Sequence, residues 1–187
     1  DAGINFYLNK TDRNLKRNIQ NTGFTLYCVR GNHEERPENL PNMRSVYDPN
    51  IQGTVFQEDE YPNIRYLKDG GEYDINGSHV LCIGGAYSVD KWYRLNRAGV
   101  TDKLHPDYTN SKKTGWFPAE LLTDGELEQI ECNCTGNCYD VILTHTCPES
   151  WEPRDLFLSG LDQSTVDKSM EKWLYDFKNH IDWKIWL

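Results

Sequence analysis

The sequence predicts an α/β protein built around a mixed sheet, and three observations lead there. Short apolar, β-branched runs recur along the chain, and each opens into a polar loop. Stretches with the spacing of amphipathic helices alternate with them. A hairpin signal at Asn76-Gly77 sits in the middle of this alternation, which a purely parallel sheet would lack.

Each element follows from its residues. Thr11-Asp12, followed by Leu15 and Ile19 at i, i+4, predicts a helix capped by Thr11 and stopped at Gly23. Residues 24–29 (FTLYCV) form a buried strand that runs into Arg30-Gly31-Asn32-His33-Glu34. Residues 35–60 carry Pro37, Pro41, Pro49 and many acids, and read as loop with little regular structure; Glu58-Asp59-Glu60 is a solvated part of it. A strand over 64–67 follows, then strands over 72–75 and 78–83 joined by the type I′ signal Asn76-Gly77 and ending in Gly84-Gly85. Residues 90–118 are an irregular excursion rich in Trp, Tyr, Arg, Lys and Pro. Thr123 with Glu126 three residues later is a capping box that starts a helix. Residues 140–143 (DVIL) form another buried strand, opening into Thr144-His145-Thr146-Cys147-Pro148. Residues 164–180 predict a long amphipathic helix capped by Ser164 or Thr165, with Met170, Trp173, Leu174 and Phe177 on one face. Residues 183–187 (WKIWL) begin a last strand.

Composition sets the outer limits. The chain has 187 residues, 37% of them hydrophobic and 26% charged, which is one globular domain spanning 1–187. No apolar run reaches the ~20 residues that cross a bilayer, so no membrane association is expected. The formal net charge of −9 argues against stable nucleic-acid binding, because phosphate backbones attract basic surfaces. An acidic chain can still meet a phosphate substrate when cations lie between them. Six cysteines are too few for a disulfide scaffold. Cys28, Cys82 and Cys147, in or beside strand-like runs, read as buried reduced thiols of a cytoplasmic protein.

Candidate metal ligands fall at strand ends: Asp1 opens the chain, Asn32 and His33 follow one buried strand, and His145 follows another. Carboxylate oxygen, amide oxygen and imidazole nitrogen without thiolate suit a divalent transition metal such as Mn, Fe or Zn rather than a structural zinc knot. The other tempting cluster, Cys132, Cys134 and Cys138, matches no common zinc spacing and reads as a surface turn with reduced thiols. Arg36, Arg94, Arg97, Tyr93 and Trp116 are candidates for a substrate cleft, since an Arg fork can grip phosphate and an aromatic face can stack a base; long side chains that simply cover the surface are the equal alternative. His79, His105 and His180 show no partner pattern.

Gly31-Asn32-His33-Glu34, between a strand and a loop, resembles the G-N-H-[DE] signature of the calcineurin-like metallophosphoesterases, and Arg30 extends it to the R-G-N-H-E of the Ser/Thr phosphatase branch. Leu143-Thr144-His145 is similar to the family's later metal-binding His element. Asp1-Ala2-Gly3 is similar to the residues after the Gly of its G-D motif. The middle, from Gly84-Gly85-Ala86-Tyr87-Ser88 to Trp116-Phe117-Pro118-Ala119-Glu120, is similar to small bacterial and phage members. The family's opening D-x-H and closing G-H-x-H are not in the sequence, so a stretch trimmed at both ends of the domain is expected. The D-R-G of the protein phosphatases is also missing, since Asp1 is followed by Ala2-Gly3-Ile4-Asn5.

The resemblance implies an αββα sandwich of two mixed sheets flanked by helices. It implies an enzyme with two divalent ions that hydrolyses small phosphomonoesters or phosphodiesters through attack of a metal-activated hydroxide on phosphorus. By the same resemblance, Asp1 bridges both ions, and Asn32 and His145 ligate one. His33 faces the leaving oxygen and Glu34 orients His33. A Ser/Thr-type protein phosphatase and a non-catalytic binding module that keeps the fold are the alternatives.

Overall fold

The computed structural model describes residues 2–156 and 164–187. Two four-stranded mixed sheets form its centre. After helix α1 (Lys10–Gln20), the first sheet collects strands β1 (Leu26–Cys28), β2 (Met43–Asp48), β3 (Gly53–Glu58) and β4 (Ile64–Leu67) in the order β1-β4-β3-β2. β1 runs parallel to β4, while β2–β3 and β3–β4 are antiparallel. The second sheet collects β5 (Gly71–Ile75), β6 (Ser78–Ile83), β7 (Cys138–Thr144) and β8 (Asp182–Trp186) in that order. β5–β6 is the antiparallel hairpin, and β6–β7 and β7–β8 are parallel. Between β6 and β7 run the short helices α2 (Lys91–Arg97) and α3 (Ser111–Thr114) and then α4 (Asp124–Cys134); α5 (Ser169–Phe177) leads into β8.

The apolar clusters give the layering. Val55 and Leu67 of the first sheet pack with Tyr73, Val80 and Cys82 of the second, so the inner faces of the two sheets share one core. The other face of the second sheet presents Leu81, Ile83, Tyr139 and Ile142 to Ile130 and Cys134 of α4 and to Met170, Leu174 and Phe177 of α5. The other face of the first sheet packs Cys28, Ile64 and Tyr66 with Ile4, Tyr61 and Ile19 of α1. Alternate residues of β6 therefore serve two cores, Val80 and Cys82 one and Leu81 and Ile83 the other, as the two-residue period of a strand requires.

Several expectations hold. The hairpin turns at Asn76 (φ 54°) and Gly77 (φ 80°), both left-handed as a type I′ turn demands. The capping box is complete: Thr123 Oγ1 accepts from the Glu126 N–H at 3.3 Å, and Glu126 Oε2 accepts from the Thr123 N–H at 2.7 Å. Cys28 and Cys82 are buried, and all six cysteines are free. Cys147 is only half-buried.

Others are corrected. The first helix is capped by Asn9, whose Oδ1 accepts from the Thr11 N–H at 2.7 Å, so Thr11 lies inside it. Its docked side includes Lys16, whose ammonium reaches Glu58 at 2.5 Å. Glu58 thus belongs to β3 rather than to a solvated loop. Residues 35–60 are not loop: they hold the β2–β3 hairpin, with the prolines outside its ladder and Pro49 in its turn. The strand expected over 24–29 pairs only over Leu26–Cys28, because β1 is an edge with one neighbour, and Phe24 is 76% exposed. The excursion over 90–118 contains two short helices. The last helix begins at Ser169; Asp167 Oδ1 accepts from the Ser169 N–H, and residues 164–168 precede it outside the helix, with a turn at 164–165.

Leu81 is fully buried in the core beneath α4 and α5, whereas Leu104 is 93% exposed. Leu81→Ala is expected to cost about 2–5 kcal/mol in urea unfolding through lost burial and a residual cavity. Leu104→Ala is expected to stay within about 0.5 kcal/mol of the parent. Equal losses would contradict this layering.

Candidate functional site

The C-terminal ends of β1, β6 and β7 come together, and backbone contacts fix their spacing. The Gly85 N–H donates to the Arg30 carbonyl at 2.9 Å, and the His145 N–H donates to the Ile83 carbonyl at 3.3 Å. Gly84 permits this approach: a Cβ there would lie 2.5 Å from the Arg30 carbonyl oxygen. Its N–H donates to Asp69 Oδ1 at 2.6 Å, while Asp69 Oδ2 accepts from Arg30 Nε at 2.8 Å. Arg30, 3% exposed, also donates through Nη1 to the Glu120 carbonyl at 2.9 Å. This residue of the R-G-N-H-E motif is therefore a tie between loops.

Asn32 and His145, 113 positions apart in sequence, meet at this junction with Asn32 Oδ1 3.1 Å from His145 Nε2. The Asn32 amide nitrogen donates to Ser88 Oγ at 3.2 Å and faces the Tyr87 carbonyl at 3.4 Å, which turns Oδ1 toward the imidazole. Burial, reinforced by positive charge including that of Arg30, depresses the His145 pKa to about 4. At neutral pH the ring is uncharged, the form in which imidazole can ligate a cation.

His33 follows Asn32 and faces a different pair. Its Nε2 lies 3.5 Å from Asp90 Oδ1 and 3.4 Å from Arg94 Nη2, and Asp90 Oδ2 accepts from Arg94 Nε at 2.6 Å. Asp90 precedes α2, and sequence reasoning missed it; the signal available was the i, i+4 spacing of Asp90 and Arg94. Glu34 is buried and turns back onto its own loop, accepting from the Gly31 N–H at 2.8 Å. Burial pushes its carboxyl above the ordinary range. The carboxylate beside His33 Nε2 is thus Asp90, and Glu34 braces the loop that carries Asn32 and His33.

Of the expected cleft residues, Arg94 reaches the site. Arg36 is instead consumed structurally: Nε donates to the Ala119 carbonyl at 2.7 Å, Nη2 to the Leu121 carbonyl at 2.6 Å and Nη1 to Glu126 Oε1 at 2.5 Å. Trp116 is 4% exposed and packs with Leu95 and Val100, with Lys91 Nζ 4.0 Å from its ring centroid, so its face is covered and offers no stacking platform. Asp1 lies outside the described residues. Among the described residues, no three of His, Cys, Asp and Glu gather as a metal site, and Asn32–His145 is the pair of candidate ligands that the fold assembles. Comparison with family models, curated proteins and solved structures finds no significant match to this chain.

The Arg36–Glu126 pair makes this loop arrangement sensitive to acid. Burial raises the Glu126 carboxyl, but the Arg36 hydrogen bond and the capping-box bonds outweigh it and hold the pKa at about 2, below the ordinary 4.5. A depressed carboxylate contributes stability that is complete above about pH 4.5 and is lost as pH falls toward about 2. In urea unfolding, Glu126→Gln is therefore expected to be less stable than the parent at pH 6, with the gap closing between pH 4.5 and pH 2. A gap independent of pH would contradict the assignment.

Proposed function

We propose that this chain is a metal-dependent phosphoesterase of the calcineurin-like type, hydrolysing small phosphomonoesters or phosphodiesters. One observation carries the reading: the Asn of G-N-H-E and the His of L-T-H, on loops after strands of different sheets, bring an amide oxygen and an imidazole nitrogen within 3.1 Å of each other. The stacking of two mixed sheets between helices supports it, since that is the architecture the motif's family implies.

The donor set fits one side of a cation. An amide oxygen and a neutral imidazole nitrogen suit Mn, Fe or Zn, and both side chains are held by partners other than each other or by burial. Two donors are fewer than such an ion takes, and the reading assigns Asp1 as a further residue that would hold the metal. A divalent metal held by these residues would supply Lewis acidity toward the phosphoryl group and toward water.

The chain's own residues do the rest. The Ser88 hydroxyl and Tyr87 carbonyl hold the Asn32 amide nitrogen, which turns Oδ1 toward His145 Nε2. His33 carries the proton for the leaving oxygen. Asp90 and Arg94 bracket its Nε2 at 3.5 and 3.4 Å and hold the ring in place. The His33 side chain is 38% exposed, so it can meet a substrate from solvent.

Separate assignments to binding and to proton transfer predict separate phenotypes in the full-length protein. His145→Ala is expected to lower bound Mn or Zn, measured by elemental analysis after dialysis. His33→Ala is expected to keep the metal and lower kcat on a chromogenic phosphodiester by about 10²–10⁴-fold. Loss of metal in His33→Ala would reverse the two roles. Absence of turnover of monoesters and diesters with Mn, Fe and Zn would sink the phosphoesterase reading.

A further inference from the structure

A cationic cavity of about 440 Å³ opens beside His33. Its walls include Arg94 and Arg97 of α2 and Lys112 and Lys113 of α3, against the single carboxylate of Asp90. Four cations to one acid is the reverse of the whole chain, whose formal net charge is −9. The volume lies in the range of small-molecule sites, about 300–1,000 Å³.

The wall shared with the candidate site gives the cavity its direction. Asp90 and Arg94, which line it, are also the groups facing His33 Nε2, at 3.5 and 3.4 Å. Arg94 is largely committed, donating to Asp90 and to the Gly115 carbonyl at 3.0 Å. Lys113 is paired with Asp107. Arg97 and Lys112 are exposed and, among the described residues, make no ion pair. Two uncommitted cations from different helices thus face one cavity, where a second anion would relieve their repulsion.

We infer that this cavity is a phosphate subsite that binds a second phosphate carried by the leaving group of the substrate, with Arg97 and Lys112 as its specificity-determining residues. The inference rests on the phosphoesterase reading, in which His33 faces the leaving oxygen; whatever leaves from that oxygen then extends toward Arg94 and into the cavity. The substrate class is therefore an ester or anhydride of phosphate whose leaving group is itself phosphorylated. The Arg97 guanidinium can grip such a phosphate through two parallel N–H donors, and Lys112 adds a point charge.

The test uses the full chain stripped of metal by chelator, at low ionic strength, with inorganic pyrophosphate and orthophosphate as calorimetric titrants. Pyrophosphate is expected to bind more tightly than orthophosphate. R97A/K112A should raise its Kd by about tenfold or more, from loss of two charge-assisted contacts. Arg97→Lys should recover part of that loss, and K172A, which removes an exposed cation on α5, should leave Kd unchanged. Circular dichroism melting of each variant separates lost binding from lost folding. Equal pyrophosphate affinity in the parent and R97A/K112A, or an equal loss in K172A, would overturn the inference. If the phosphoesterase reading alone is wrong, pyrophosphate still binds and R97A/K112A still weakens it, but no metal gives turnover. If the subsite alone is wrong, a simple chromogenic ester is still hydrolysed while R97A/K112A binds pyrophosphate like the parent.

Discussion

The buried guanidinium of Arg30 is the constraint on which the site geometry rests. It ties the loop after β1 to Asp69, beyond β4, and to the carbonyl of Glu120 in the long excursion between β6 and β7. Asp69 in turn accepts from the backbone of Gly84, at the end of β6. One ion pair thus holds the ends of strands from both sheets, with Arg30 Nε and Nη1 and both Asp69 oxygens hydrogen-bonded. Removing either member would leave the other charge buried, a loss of about 3–5 kcal/mol that would fall on the loops carrying Asn32 and His145. The motif arginine does its part without touching a ligand.

That arrangement explains why some of the molecule is legible in the sequence and some is not. Local rules decide elements whose satisfaction is local. The Asn76-Gly77 turn and the Thr123–Glu126 box each close within four residues, and both form as their residues dictate. The β2–β3 hairpin is hidden because Pro37, Pro41 and Pro49 dominate the composition of 35–60, although all three fall outside the ladder. The alternation at Val46 and Val55, a directly facing pair, is the signal beneath them. The last helix starts later than its periodicity suggests, because the pattern extends on the N-terminal side past the point where Asp167 takes up the Ser169 N–H.

The candidate site divides in the same way. Asn32 and His145 stand out because each follows an apolar strand, and long-range pairing of the strands then places their ends together. The neighbours of His33 cannot be read from its own motif. Glu34 is next in sequence, but its carboxylate closes on Gly31, while Asp90 arrives from the start of α2. Arg36 and Trp116 have the right chemistry for a cleft and the wrong surroundings: carbonyls and Glu126 consume one, and Leu95, Val100 and Lys91 cover the other. Residue type nominates candidates, and the remaining partners of each side chain decide among them.

A chain whose formal net charge is −9 can still gather positive charge locally. In this chain the excursion over 90–118 supplies it. Leu95 of α2 packs with Val100 and Trp116 of the flanking segments, and two helices too brief to be stable alone bring Arg94, Arg97, Lys112 and Lys113 to one cavity. The buried tryptophan thereby helps anchor the segment from which the cations project. The cations of the excursion and the ties made by Arg30, Asp69 and Gly84 use different residues, so the excursion can change while the frame around Asn32 and His145 stays fixed.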